Sequence, residues 1–381
     1  MKRNICLAGL ALVLGVFLLL VPRVSSAQQW SLRGPAPRVR HSAVLATAQD
    51  KMIVFGGITE SLDAPPNTYF NDVWYLTSAF STSPNLTWQQ AITTGTPPNP
   101  RGGHSAVLDS VNNRMIVFGG AQGPAGTASN DVWVLENADG IGGTPKWVQL
   151  SPVGPLPPAR FNHVAVYNST SNRMIIFGGY SGSNTEFNDV WVLQNANGLG
   201  GTPTWINSIA QGASIIAVRD SCSAVYDVTN NIMIVFGGDN AITGTFYSDT
   251  WILSDADDTQ SQLCSGAGCW SGPLNTNGFP PPSARYGHTA FFDSKTDTMH
   301  IFGGYDGTNL LNDYWVLTGA NALSGNWSQL SPSGTTPLPR AGHTAVYDSS
   351  NHRMVIFGGE ITTPGIMTDT VAVLNNATTQ Q

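Results

Sequence analysis

Histidine, arginine and aspartate recur in this 381-residue chain at spacings that could ligate a metal or hold an anion. Five histidines, His41, His104, His163, His288 and His343, each stand three residues after an arginine: Arg38, Arg101, Arg160, Arg285 and Arg340. After Arg219 the same place is taken by Cys222. Each set is followed by an aspartate, Asp72, Asp131, Asp189, Asp249, Asp313 and Asp369. A tryptophan lies two residues further on at 74, 133, 191, 251 and 315, with Val371 in the last copy. A metal needs three or four ligands converging within about 2–2.3 Å of one point. Histidines dealt one to each unit make a circle instead, so packing or hydrogen bonding is expected of them, and no metal or cofactor is expected. The arginines and aspartates admit two readings. They could form bidentate pairs that tie loops together, or the arginines could form a positive circle that grips an anion.

The elements that must position these residues repeat with them. Phe-Gly-Gly begins at Phe55, Phe118, Phe177, Phe236, Phe302 and Phe357, each time after a short apolar run such as Met52 to Phe55. Runs apolar on both faces suit strands covered on both sides. A second tryptophan separates successive units at Trp30, Trp88, Trp147, Trp205, Trp270 and Trp327, so all eleven tryptophans belong to the repeat. Each unit therefore offers four strands: a at His-Ser-Ala-Val, b ending in Phe-Gly-Gly, c at Asp-Val-Trp and d around the second tryptophan. Gly, Pro, Asn and Ser clusters between them are turn formers, and no helix of about ten residues fits. Four-stranded units repeated radially make an all-β propeller, here of six blades. The chain opens on a strand d at Trp30 and ends after a strand c. The sixth blade is accordingly expected to be closed by the N-terminal strand.

The paired glycines, the Arg-x-x-His lead-in, the Asn-Asp-x-Trp string and the strand-d tryptophan resemble kelch repeats, in the form seen in galactose-oxidase-like propellers. The resemblance runs from Trp30 to Leu374. It implies that the b–c loops and d–a turns share one face, where ligands bind. Carried onto this chain, that face holds Arg40, Phe161, Asp220 and Tyr286 from the Arg-x-x-His turns. It also holds Tyr180, Asp239, Tyr305 and Glu360 just after Gly-Gly. Aromatic faces and acids around one mouth suit a carbohydrate or a peptide, so the expected function is a binding module for an extracellular glycan or protein. The alternative is a small-molecule enzyme on the same scaffold, a sugar isomerase or epimerase or a galactose-oxidase-like oxidoreductase. Converging acids and a base at the mouth would favour the enzyme, and a broad aromatic rim would favour binding. The copper chemistry is poorly matched, because Cys222 stands at a repeat histidine position instead of beside a ligand tyrosine.

Residues 1–27 read as a signal peptide, leaving a propeller over 28–381. Lys2 and Arg3 precede an apolar run from Ile5 to Val21, and Ser25-Ser26-Ala27 supplies small residues for cleavage. Export to the periplasm or the medium is expected, with no membrane attachment after cleavage. Loss of three positive charges takes the net charge from −7 to −10. With only four lysines and no basic run after residue 23, nucleic acid is excluded as a partner. A monomer is expected. In an oxidising compartment Cys264 and Cys269, with four small residues between them, are expected to form a disulfide, while Cys222 is expected as a small buried residue. The acids Asp255, Asp257 and Asp258 crowd one c–d loop but lack the spacing of an EF-hand calcium loop.

Overall fold

The computed structural model describes residues 34–59, 67–80, 86–209, 215–259, 269–275, 280–322, 324–362 and 365–378. They form six antiparallel sheets arranged as the blades of a propeller. Blade 1 runs through Ser42–Ala46, Lys51–Phe55, Val73–Thr77 and Thr87–Gln90. Blade 2 runs through Ser105–Asp109, Arg114–Gln122, Thr127–Glu136 and Lys146–Leu150. Blade 3 is Val164–Asn168, Arg173–Phe177, Val190–Gln194 and Thr204–Ile209. Blade 4 is Ser223–Asp227, Ile232–Phe236, Thr250–Ser254 and Trp270–Ser271. Blade 5 is Thr289–Asp293, Thr298–Tyr305, Leu310–Thr318 and Asn326–Leu330. In blade 6 strands a to c are Thr344–Asp348, Arg353–Phe357 and Val371–Leu374. Its expected strand d, with Trp30, lies outside the described residues. Between the first two strands of blade 1 lies a three-residue 3-10 turn, Thr47–Gln49.

Strand position explains residue type. Met52, Ile53, Val54 and Phe55 of strand b are all fully buried, because a neighbouring blade covers each face of the sheet. Strand a alternates instead. Its buried side chains enter the blade interfaces, while the half-buried Ala43 and Leu45 and their equivalents line a central channel. Successive strands a touch around the whole circle, including the sixth against the first. The described residues therefore close the propeller at its axis.

The Gly-Gly pair shows why these positions resist any side chain. Gly57 sits at φ +101°, and a Cβ there would lie 2.8 Å from the Cβ of His41. Both the left-handed backbone and the close approach of strand a demand glycine.

The registered polar residues hold the blades. Each strand-a histidine joins its blade to the preceding one through the hydroxyl one residue after the neighbour's histidine position, which in blade 4 is held by Cys222. His104 Nε2 meets Ser42 Oγ at 2.9 Å, and His163 meets Ser105 at 2.8 Å. His288 meets Ser223 at 2.8 Å, His343 meets Thr289 at 3.0 Å, and His41 meets Thr344 at 2.8 Å. Burial pushes His104 and His288 down to about 3, so these imidazoles stay neutral. At the junction of blades 3 and 4 both partners are replaced together. Val164 stands where the hydroxyl would be and Cys222 where the imidazole would be, an apolar pair in place of a polar one. Cys222 is a buried free cysteine, its thiol pushed up to about 12 by burial.

Five of the six arginines make the bidentate pair with an aspartate of their own blade, at 2.6–3.0 Å. The sixth expected aspartate does not. Phe357 pairs with Val371 as Phe55 pairs with Val73, so Thr370, one residue beyond Asp369, occupies the aspartate's place. Asp369 is exposed. On the opposite face the c–d loops are pegged to the preceding blade: Asn197 Nδ2 donates to Asp109 at 2.6 Å, and Asp257 accepts from Asn168 at 2.9 Å. Asp257 also accepts from Ser171, Asn231 and Thr259. That acid is therefore structural rather than a calcium ligand.

The mouth of the propeller, a candidate ligand-binding site

The mouth is built on six residues, the second variable position of each Arg-x-x-His turn. Arg40 N–H donates to Gly342 O, Gly342 to Gly287, Gly287 to Ser221, Ser221 to Asn162, Asn162 to Gly103, and Gly103 back to Arg40, at 2.7–3.0 Å. Six backbone bonds of one sense thus form a closed girdle around the axis. Neighbouring Cα atoms across such a bond lie about 5 Å apart, so the girdle is about 10 Å across and leaves an opening of only a few ångströms. All six residues hold φ between +52° and +66°. Glycine takes that conformation without cost at 103, 287 and 342, but Arg40 and Ser221 carry side chains there against a backbone penalty. Arg40 thus brings a charged side chain to the girdle at a backbone cost.

Outside the girdle, the first variable residue of each turn bridges to the residue after Gly-Gly. These bridges pair Phe161 with Tyr180, Asp220 with Asp239, Tyr286 with Tyr305, and Ala341 with Glu360. Seven of the eight expected site residues therefore stand in four bridged couples, and Arg40 stands in the girdle between them. Phe161 and Tyr180 meet edge to face with centroids 5.5 Å apart. Tyr286 and Tyr305 do so at 5.6 Å.

Blades 3 and 4 concentrate the charge. Asp220 is 4% exposed and accepts from Ser221 Oγ at 2.5 Å and Asn162 Nδ2 at 3.4 Å. Burial pushes its carboxyl up, those two bonds and Arg40 opposing. Asp239 rises further, to about 8, through burial and then the charges of Asp220 and Glu186, with Arg40 again opposing. Glu186, 3% exposed, is pushed up to about 7, mainly by burial. One of its oxygens accepts from the backbone N–H of Ala241, so the side chain spans from blade 3 to blade 4. Glu360 behaves differently. It accepts from Gly365 N–H at 2.9 Å and closes its own b–c loop.

Two mouth residues escaped the sequence reading. Glu186 and Phe246 both lie in b–c loops, where no repeat marker fixes the register. Phe246 packs on Tyr286 at 5.6 Å and on Tyr305 at 6.3 Å. The one available signal for Glu186 was its being the sole acid between Gly179 and Asp189. Beneath the girdle the channel holds a cavity of about 360 Å³, lined by strand-a residues such as Leu45, Leu108, Val225 and Phe292. Its walls carry no carboxylate or basic group; their titratable side chains are Tyr167, Tyr226 and Tyr347. Among the described residues no three His, Cys, Asp or Glu side chains converge to hold a metal ion.

Comparison with known proteins agrees with this architecture. The family model of the KLHDC2/KLHL20/DRC7 Kelch-repeats domain matches residues 20–140, 142–269 and 266–380. Host cell factor 2 of Homo sapiens is 29% identical over 294 residues, covering 75% of this chain and 34% of that protein. The leucine-zipper-like transcriptional regulator 1 homolog of Drosophila melanogaster is 29% identical over 341 residues, 86% of this chain and 30% of that one. An F-box/kelch-repeat protein of Arabidopsis thaliana is 28% identical over 270 residues, 69% of this chain and 52% of that one. The chain thus spans 30–52% of the length of these relatives. Among solved structures, that of YjhT superposes with a TM-score of 0.56 at 14% identity, covering 90% of this chain and 96% of that one. With the repeat, the six sheets and the family match in agreement, the chain belongs to the kelch-repeat family.

Proposed function

We propose that the chain is an exported binding module whose mouth takes a polar extracellular ligand, a glycan or a segment of another protein. The kelch propeller is a scaffold typical of protein-binding modules. One observation carries the reading. Arg40, Asp220, Asp239 and Glu186 gather beside the rings of Tyr286, Tyr305 and Phe246 on a single face. Carboxyl groups that are protonated near neutrality donate as well as accept hydrogen bonds, which matches hydroxyl-rich ligands. The aromatic rings supply apolar faces beside them.

Asp239 makes this testable through pH. With its carboxyl raised to about 8, it is mostly protonated at pH 7 and ionises above pH 8. Asp239→Asn should therefore bind a ligand found by glycan or peptide array as tightly as the wild type at pH 7. Asp239→Ala should bind about tenfold more weakly, as expected for a lost buried hydrogen bond of about 1–1.5 kcal/mol. Above pH 8 the wild type should weaken while Asp239→Asn does not. Titration calorimetry across pH 6–9 reads all three, and an alanine variant that binds like the wild type removes the mouth from consideration. A sugar isomerase or epimerase is the second reading. It is favoured by the same two carboxyls, whose values near 7 and 8 suit general acid and base chemistry. NMR of the bound ligand separates the two, since turnover changes the sugar and binding does not.

Export and the disulfide belong to the same proposal. Cys264 and residues 1–27 lie outside the described residues, and Cys269 is buried. Peptide mapping of the exported protein should find Gln28 at the N-terminus. The peptide bearing Cys264 and Cys269 should be two hydrogens lighter than its reduced form. A retained Met1, or full labelling of both thiols without reductant, overturns the respective half. We further propose that the mature acidic chain is a monomer and contacts neither nucleic acid nor membrane. Among the described residues no helix is long and apolar enough to cross a bilayer.

A further inference from the structure

Five arginines of the repeat spend their guanidinium in one way, and the sixth does not. In blade 2, Arg101 Nε donates to Asn99 O at 3.0 Å and Nη1 to Gly119 O at 2.8 Å. The remaining N–H groups of Nη1 and Nη2 grip Asp131 at 2.7 and 2.8 Å. Ser129 Oγ and Trp133 Nε1 donate to the same carboxylate, each at 2.6 Å. In blade 6 the first two bonds persist: Arg340 Nε to Leu338 O at 3.1 Å, and Nη1 to Gly358 O at 2.9 Å. Thr370 stands in the carboxylate's place and Ala372 in the tryptophan's. Nη2 reaches only Thr370 Oγ1, at 3.3 Å. Thr368 stands where blade 2 has Ser129, with its hydroxyl 3.0 Å from that of Thr370.

Arg340 is 2% exposed. It is a buried, permanently charged fork with no carboxylate partner among the described residues. Residues 1–33, which include the strand expected to close this blade, contain no Asp or Glu, so that strand brings no counter-charge. The position is reachable from solvent. The aspartate side chains of blades 1, 2, 4 and 5 are 20–26% exposed, and Thr370 itself is exposed. The geometry already selects one ligand chemistry five times over in the same molecule: a planar carboxylate received on two parallel N–H groups.

We propose that Arg340, with Thr368 and Thr370, forms a binding site for an exogenous carboxylate. The shared chemistry is a planar carboxylate, whether of a uronic acid in an acidic glycan or of an acidic side chain or C-terminus in a peptide. This site stands independently of the mouth carboxyls of blades 3 and 4. It turns the sixth arginine from a blade clamp into a recognition group.

The test uses the full mature chain with sodium acetate, sodium glucuronate and N-acetylglycine as probes, and sodium chloride at matched ionic strength. The carboxylates should raise the melting temperature saturably by about 2 °C or more, and chloride should not. Thr370→Asp rebuilds the arrangement of the other blades. It should melt higher without any additive, lose the response to all three carboxylates, and bind acetate at least about tenfold more weakly by calorimetry. Tighter binding of glucuronate than of N-acetylglycine assigns the source to glycans, and the reverse order to peptides. An equal response to chloride and acetate overturns the site. So does a Thr370→Asp variant with unchanged melting temperature, because a carboxylate of the chain itself would then already occupy the fork.

Discussion

Arg160→Ala is expected to destabilise the propeller by about 3–5 kcal/mol, the loss typical of stranding one partner of a buried ion pair. Of the five pairs, Arg160 with Asp189 is the most enclosed, with side chains 0% and 2% exposed. Arg160 donates to Pro158 O and Gly178 O, and grips both oxygens of Asp189 at 2.6 and 2.9 Å. Its guanidinium lies 4.1 Å over the ring of Phe187. Truncation strands a carboxylate that Trp191 Nε1 alone would then serve, at 2.7 Å. It also frees the d–a turn from the b–c loop that bears Glu186, so the mouth should loosen with the fold. The apolar double variant Arg160→Met with Asp189→Leu should recover most of the loss, since the penalty comes from the unpaired charge. Arg340→Ala should cost less, because no buried aspartate is stranded there. Denaturant unfolding with matched slopes measures all three. An Arg160→Ala midpoint equal to that of the wild type would show that the ion pair does not hold the blade.

Why so much of this was legible follows from the physics of the repeat. A marker is readable when the same side chain plays the same part in all or nearly all units, as at the glycine and phenylalanine positions and, with one exception each, at the arginine and histidine positions. The histidines' partners were not readable. Each hydroxyl sits in the neighbouring blade, about 60 residues away in four cases and 303 where the sixth blade meets the first, one residue after that blade's own histidine position, so one motif hides two roles. Cys222 stood out as a broken marker, but that Val164 answers it appears only when the blades are packed. Asp369 was misplaced by one residue for a related reason. Without the tryptophan that anchors the other five copies, the string Thr368-Asp369-Thr370-Val371 offers no second point of register, and strand pairing with Phe357 decides it. The mouth was half legible. The turn and post-glycine residues are fixed by the scaffold and could be carried over. Glu186 and Phe246 lie on b–c loops of unequal length, where position in the sequence says nothing about position in space. Loops free of repeat constraint are where binding residues concentrate.

Deleting residues 28–34 is expected to be the most damaging change of all, and Trp30→Ala should match Trp147→Ala at about 3–5 kcal/mol. The structure supplies the reason through an interlock between blades. The Phe-Gly-Gly phenylalanine of one blade meets the strand-d tryptophan of the next: Phe55 with Trp147 at 4.8 Å, Phe118 with Trp205 at 5.0 Å, and Phe177 with Trp270 at 5.0 Å. Phe236 meets Trp327 at 5.1 Å and Phe357 meets Trp88 at 4.8 Å. Five of the six phenylalanines are thus matched. The sixth, Phe302 of blade 5, is 4% exposed, and its tryptophan should come from strand d of blade 6. The sequence has one tryptophan left to give, Trp30, which lies outside the described residues. Strand c of blade 6, Val371–Leu374, likewise has no outer neighbour among the described residues. Supplying that neighbour from the N-terminus would cover its open edge. Without residues 28–34 both the edge and the bed for an indole would be bare, so the variant should melt lower than Trp30→Ala and aggregate on heating. Scanning calorimetry with light scattering reads both effects. A deletion variant that melts with the intact protein would mean that blade 6 closes without the N-terminal strand and that Phe302 is covered by something other than Trp30.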